Sequence, residues 1–280
     1  MCLVWGTTYL AIRIALETIP PLLMPACRWI AAGSLLLAIL TARGERLPAV
    51  SSWPTLAIVG TLLVGVGNGA VVWAEQTVPS GLTAVLVAAS PFWMVGIESL
   101  MPGGERLTRR RAFGLVIGFS GILVLVWPDL RAGAQQRGVV VGALMTQIAC
   151  LGWAAGSVYA RRHGREENVL AGAALEMLFG GIVLLLAGTL LGEWAGMVFT
   201  PRTACAVVYL ALIGSVAGFS AYLYALKHLP VATVSLYAYA NPIIAVILGA
   251  VVLGEPVTGR LAVASAIVLA SITLVRTKAG

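Results

Sequence analysis

Apolar residues in this chain neither alternate with polar ones, as on a half-buried strand, nor form the single stripe of a soluble helix. They run together in blocks of about 20 residues, long enough to cross ~30 Å of hydrocarbon. The blocks fall at 1–17, 21–42, 53–75, 80–100, 112–127, 138–160, 168–191, 203–226, 231–252 and 259–276. Short connections rich in breakers separate them: Ile19-Pro20-Pro21, Thr77-Val78-Pro79-Ser80, Leu229-Pro230 and Gly254-Glu255-Pro256. A transmembrane barrel would show short alternating segments instead. The pattern predicts an all-α membrane protein of ten transmembrane helices, one membrane domain over 1–280 with no linker or soluble insert. The first block reaches only ~25 Å at 1.5 Å per residue. Either the bilayer thins there or the first helix is truncated and the chain starts further upstream.

Composition narrows the class. The chain is 60% hydrophobic and 10% charged, with a mean hydropathy of +0.97, whereas ordinary soluble chains are roughly 45–50% apolar and about 25% charged. That excludes a soluble enzyme, a disordered protein and a secreted disulfide scaffold. The net charge of +7 does not point to nucleic acid, because no basic run is long enough to track phosphates. It follows the membrane instead. With the N-terminus inside, the inner loops hold Arg43, Arg46, Arg106, Arg109, Arg110, Arg111, Arg161, Arg162, Arg165, Lys227, Arg276 and Lys278. The outer loops hold only Arg131, Arg137, Arg202 and Arg260. This positive-inside bias predicts that both termini are cytoplasmic.

The inventory excludes most chemistry. The sole aspartate, Asp129, and both histidines, His163 and His228, are expected in loops. No HExxH, no acidic pair at depth and no Walker A motif occurs, so neither intramembrane proteolysis nor ATP-driven transport by this chain is supported. Cys2, Cys27, Cys150 and Cys205 stand singly in or beside apolar runs and read as small buried hydrophobes rather than metal ligands. No metal and no cofactor is implied.

The chain repeats itself. Cys2-Leu3-Val4-Trp5 recurs as Cys150-Leu151-Gly152-Trp153, and Arg13 corresponds to Arg161. The same offset sets Arg28 against Glu176 and Gly33 against Gly181. Further on, Leu56–Gly60 matches Leu210–Gly214, Pro79 matches Pro230, Ser90-Pro91 matches Asn241-Pro242, and Glu105 and Arg110 match Glu255 and Arg260. Two halves result, 1–137 and 138–280, of five helices each. An odd number makes the second half enter from the opposite side, which is the inverted-topology plan of secondary transporters.

Polar side chains at bilayer depth must face inward or another helix. In the ninth block Tyr237 and Asn241 share one face, Ser235 and Tyr239 another. The eighth offers Ser220 and Tyr224 on one face, with Tyr222 on another. Trp5 and Tyr9 in the first block correspond to Trp153 and Ser157 in the sixth, Asn68 lies midway along the third, and Ser90 precedes Pro91 in the fourth. These are the candidate substrate-binding residues: aromatic faces, hydroxyls and amides with little fixed charge. Pro91 and Pro242 each remove a backbone donor and read as gating hinges or as static packing kinks. Two ionisable residues lie deep in spans, Arg28 and Glu176. They form a structural ion pair or separate polar locks on peripheral helices, or Glu176 is a proton-coupling carboxylate. Arg13, Glu75 and Glu98 sit close enough to span ends to snorkel. Gly114-x3-Gly118 and Gly152-x3-Gly156 allow close helix approach, either within the chain or between copies; the oligomeric state stays open.

The chain resembles the EamA family of the drug/metabolite transporter superfamily. The carrying residues are Leu3-Val4-Trp5-Gly6-Thr7-Thr8-Tyr9, Cys27-Arg28-Trp29, Pro79-Ser80-Gly81-Leu82, Asn241-Pro242 and Leu253-Gly254-Glu255-Pro256. The resemblance implies ten helices in the bacterial inner membrane and a cavity lined by helices 1, 3, 4, 6, 8 and 9. It also implies export of small metabolites such as amino acids, either proton-coupled or facilitative. The expected partners are a small-molecule substrate, the lipid bilayer and protons. A drug or toxic-compound exporter is the alternative within transport, and a non-transporting membrane scaffold is the alternative outside it.

Overall fold

The computed structural model describes residues 2–104, 107–132, 137–164, 168–229, 234 and 237–275. Among them every regular element is helical. Seven helices are long and apolar enough to cross a membrane: α2 (Leu23–Ala42), α3 (Val50–Ala74), α4 (Ser80–Leu100), α5 (Arg109–Arg131), α6 (Arg137–His163), α7 (Val169–Leu190) and α8 (Pro201–His228). Shorter apolar helices are α1 (Cys2–Ala15), α9 (Tyr237–Leu253) and α10 (Gly259–Val275). Pro230, Ser235, Glu105, Arg106, Arg165, Arg276 and Lys278 lie outside the described residues.

Several boundaries correct the sequence expectations. Asp129 is not in a loop; α5 runs past Pro128, and Asp129 in its last turn pairs with Arg260 at 2.9 Å. The histidines close helices rather than sit in loops. His163 ends α6 stacked on Tyr159, and His228 ends α8 stacked on Tyr224, each with ring centroids 4.2 Å apart.

Two long helices are not α-helical throughout. Thr61–Asn68 in α3 and Leu210–Ala217 in α8 wind as π-helix, each eight residues long and each followed by glycine, Gly69 and Gly218. A π turn bonds i to i+5 and so displaces the faces beyond it. Helix α4 is interrupted differently: Ser80–Val87 ends in a turn at Ala88-Ala89, and a second segment starts at Ser90 with Pro91 in its first turn. Proline is tolerated there because a first-turn N–H has no helical partner.

In lipid the helices gain little by burying apolar surface against one another, so association rests on close fit. Glycines supply it. Gly60 and Gly180 bring the backbones of α3 and α7 together, a methyl on Gly60 falling on the Glu176 carbonyl oxygen. Gly33 approaches Ala174 and Leu178, while Gly181 approaches Ile30 and Trp29, closing α2 on α7. Gly118 and Gly121 close α5 on α10 through Ser271, Ile267 and Val268. Gly152 and Gly156 press α6 onto Val66 and Leu63 of α3, so this small-residue face packs within the chain. The outward surface keeps Phe113, Val116, Leu144, Ile247 and Val251 exposed, as a lipid-facing shell should.

Helix ends are tied by acidic side chains from distant loops. Glu193 accepts from the Leu22 and Leu23 amides at 3.0 and 2.9 Å. Glu255, in the Leu253-Gly254-Glu255-Pro256 run, accepts from the amides of Ser80 and Gly81 at 2.8 and 3.1 Å and from the Ser80 hydroxyl at 2.9 Å. A carboxylate there satisfies first-turn donors and meets the positive end of the helix dipole.

Gly60→Val should lower the thermal midpoint in detergent by several degrees, since overpacking costs typically 1–3 kcal/mol, while Gly96→Ala, which meets nothing within 4 Å, should not lower it. Equal midpoints for both variants would contradict the close-fit account.

Candidate transport cavity

Six helices converge on a central cavity of about 70 Å³. From α1 come Trp5, Thr8, Tyr9 and Ile12, whose spacing puts them on one face. From α2 come Arg28 and Trp29, and the π segment of α3 and the turn after it bring Gly67, Asn68 and Val71. Val87 and Ser90 stand at the interruption of α4, Ala149, Cys150 and Trp153 on α6, and Tyr237 and Asn241 on α9.

The aromatic rings set the shape. Trp5 meets Trp153 edge-to-face at 5.4 Å between centroids and Tyr237 likewise at 5.2 Å. Tyr222 of α8 lies behind them, 5.2 Å from Trp5 and 5.1 Å from Trp153. Edge-to-face contacts of this kind suit the ring quadrupoles. Each indole N–H is used: Trp5 donates to the Gly214 carbonyl at 3.2 Å, Trp29 to Asn68 Oδ1 at 2.7 Å and Trp153 to the Tyr222 hydroxyl at 3.1 Å. Ser157 Oγ sits 2.8 Å from the same hydroxyl.

At α4 the chemistry follows from Pro91. Its missing N–H leaves the Val87 carbonyl without the usual i+4 partner. The Ser90 hydroxyl donates to that oxygen at 2.7 Å, and the Cys150 thiol approaches it at 3.7 Å. The freed carbonyl is thus satisfied from within the protein, as lipid depth demands.

Of the ten candidate binding residues, the cavity gathers Trp5, Tyr9, Asn68, Ser90, Trp153, Tyr237 and Asn241. Ser157 and Ser220 are buried outside it. Tyr224 is 58% exposed and faces outward, whereas Tyr222 is fully buried. The exchange falls within the α-helical turns after the π segment, where Phe219, Tyr222 and Leu226 are buried and Tyr224 points away. Among the described residues, therefore, α2 lines the cavity in place of the expected α8, which backs it through Tyr222. Pro91 opens the second segment of α4 and Pro242 lies inside α9, uninterrupted from Tyr237 to Leu253.

The charged residues also depart from expectation. Arg28 and Glu176 do not form an ion pair with each other. Arg28 lines the central cavity, while Glu176 lines a second one of about 190 Å³ with Arg161 and Lys227. Nor is α2 peripheral, since it brings Arg28 and Trp29 to the central cavity, and α7 packs on both α2 and α3 through Gly181 and Gly180. Glu75 does not snorkel: it is 0% exposed, with neither carboxylate oxygen hydrogen-bonded, and Arg13 donates to its main-chain oxygen. Glu98 pairs with Arg162 at 3.0 Å and Arg161 at 3.4 Å. Cys150 is buried as expected, but Cys205 is exposed on α8.

An all-helical chain with membrane-length apolar helices around a buried polar and aromatic cavity has the form of a membrane transport protein. It belongs to the EamA-like transporter family, which it matches over residues 1–127 and 140–277. It is 40% identical over 254 residues to the "Uncharacterized inner membrane transporter YedA" of Escherichia coli K12, covering 90% of this chain and 80% of that one. It is 24% identical to the "Uncharacterized transporter YvbV" of Bacillus subtilis, covering 99% of this chain and 90% of the relative. A "Probable amino-acid metabolite efflux pump" of Salmonella typhimurium is 23% identical, covering 96% of this chain and 90% of the relative. A solved crystal structure shares the fold at a TM-score of 0.71 and 23% identity, covering 98% of this chain and 94% of that one.

Tyr222→Phe removes the hydroxyl shared by Trp153 and Ser157 and with it two side-chain hydrogen bonds, each worth about 0.5–1.5 kcal/mol. A thermal midpoint several degrees lower in detergent is expected, and an unchanged midpoint would contradict the network.

Proposed function

We propose that this protein exports small metabolites, amino acids or related amphipathic solutes, across the bacterial inner membrane by alternating access. The observation that carries the reading is the central cavity, to which residues from both 1–137 and 138–280 contribute. Its aromatic walls, the Asn68 and Asn241 amides and the Ser90 hydroxyl suit a small solute with an apolar body and polar ends. The name of the Salmonella relative points the same way.

The mechanism we infer is rocking of two inverted five-helix halves about the cavity. Support comes from reciprocal contacts. Gly33 lies against Leu178, and Gly181 lies against Ile30, the partner of Leu178 under the same repeat offset. Glu193 caps α2, and Glu45, its counterpart, accepts from Asn168, the N-cap of α7, at 3.1 Å. We align the π segments Thr61–Asn68 and Leu210–Ala217, which sets Gly65 with Gly214 and Gly69 with Gly218 rather than Gly60 with Gly214. Family matches over 1–127 and 140–277 fit the same division. On this reading the ten helices all span, both termini are cytoplasmic, and protons are the candidate coupling ion. The larger cavity around Glu176, Arg161 and Lys227 lies at the end bearing the cytoplasmic cations and serves as the entry vestibule.

In reconstituted vesicles, amino-acid flux above that of empty vesicles is expected. Asn241→Ala should raise the apparent KM about 5- to 150-fold while leaving the fold intact. Flux of cationic drugs alone would contradict the substrate class, and no flux of any solute would contradict the transport reading. Reporters fused after Arg111 and at Gly280 should both read cytoplasmic; a periplasmic reading at either would overturn the orientation.

A further inference from the structure

Arg28 is the sole formally charged side chain among the described residues lining the central cavity. It is 2% exposed, and a hydroxyl and an aromatic ring fix its position. Nε donates to Ser215 Oγ at 2.8 Å, which ties α2 to the π segment of α8. The guanidinium carbon lies 4.5 Å from the centre of the Trp29 ring. Nη1 is buried and has no hydrogen-bond partner among the described residues. No carboxylate among them comes within ion-pairing distance of Arg28; the acid that acts on it is Glu75, which does not line the cavity.

A guanidinium held this way requires an acceptor. A buried charge without one is costly in lipid-depth surroundings, and the fork of donors matches a carboxylate in two parallel bonds. Aromatic faces lie in the same cavity, at Trp5, Trp153 and Tyr237, with the Asn241 amide beside them. We propose that Arg28 is the anion-recognition residue of this cavity, taking the carboxylate of a small organic acid or amino acid whose apolar remainder rests on the rings of Trp5, Trp153 and Tyr237. This rests on the transport reading and goes beyond it, since it requires the carboxylate and not the amino group. Deaminated acids become substrates, and amines without a carboxylate do not.

Three probes of similar size separate the groups: L-valine, 3-methylbutanoate, which lacks the amino group, and isobutylamine, which lacks the carboxylate. Binding to the purified full chain is read by tryptophan fluorescence, and transport by flux in vesicles. L-Valine and 3-methylbutanoate should bind and isobutylamine should bind at least about 10-fold more weakly, the scale of a lost charged hydrogen bond. Arg28→Gln should weaken both carboxylates by about 10-fold or more, and Arg28→Lys, which keeps the charge but not the fork, should fall between. Should Arg28→Gln fail to fold, the ranking of the three probes on the unaltered protein decides. Isobutylamine bound or carried as well as the carboxylates overturns the anchor while leaving transport standing. Failure of all three probes to bind or move overturns it too, and the wider flux screen then judges the transport reading separately.

Discussion

The structure depends on the docking of two tryptophans onto two stretches of π-helix. Trp5 of α1 lies on the π segment of α8, where its indole donates to the Gly214 carbonyl and Gly218 leaves room for the ring. Trp153 of α6 lies on the π segment of α3, against Gly67. The two rings then meet each other at 5.4 Å. A π turn in lipid is tolerable only where its displaced carbonyls find donors and its widened groove finds a filler. Trp5 supplies both, Trp153 fills the groove while its N–H turns to the Tyr222 hydroxyl, and a glycine at each contact lets the ring approach. Each segment therefore requires the other part of the chain, and the cavity forms where the two dockings converge.

The rest of the packing serves that arrangement. Backbone contact at Gly60 and Gly180 and the crossing at Gly33 and Gly181 hold α2, α3 and α7 as one unit around Trp29 and Asn68. Glu193 and Glu255 fix where α2 and α4 begin, and with them the depth at which Arg28 and Ser90 enter the cavity. Little of this resembles a soluble core. Fit, terminal hydrogen bonds and aromatic contacts replace the expulsion of water as the cohesive terms, and side chains satisfy the Val87 and Gly214 carbonyls beside the cavity.

The helical blocks were legible from pattern, because apolar length leaves few alternatives, and inward-facing polar tips together with the family resemblance gave seven of the cavity's sixteen lining residues. The π segments were not. Runs such as Thr61–Asn68 are apolar on all sides and carry no period from which a wider turn could be inferred. Tyr224 was preferred to Tyr222 for a separate reason, its i, i+4 pairing with Ser220, and the packing of α8 buries Tyr222 instead. Arg28 was recognised as a residue requiring a partner, but sequence could not say that it turns to the cavity and Glu176 to another. Glu75 near a span end invites a snorkelling reading, and only the packing of α3 shows it sealed from solvent. The acidic caps had a signal, the shared spacing of Glu45 and Glu193 in the two halves, whose meaning emerges once the helix ends are placed.

The proposed alternating access makes one demand that no single arrangement of the cavity can satisfy: the same wall must face each side of the membrane in turn. Cys150 lines that wall and is 1% exposed. With Cys2, Cys27 and Cys205 replaced by serine, its labelling by a membrane-impermeant maleimide can be followed from either side in vesicles of defined orientation. The account predicts slow labelling from both sides, reduced from both by a transported solute. Labelling from one side only, or from neither, would contradict it.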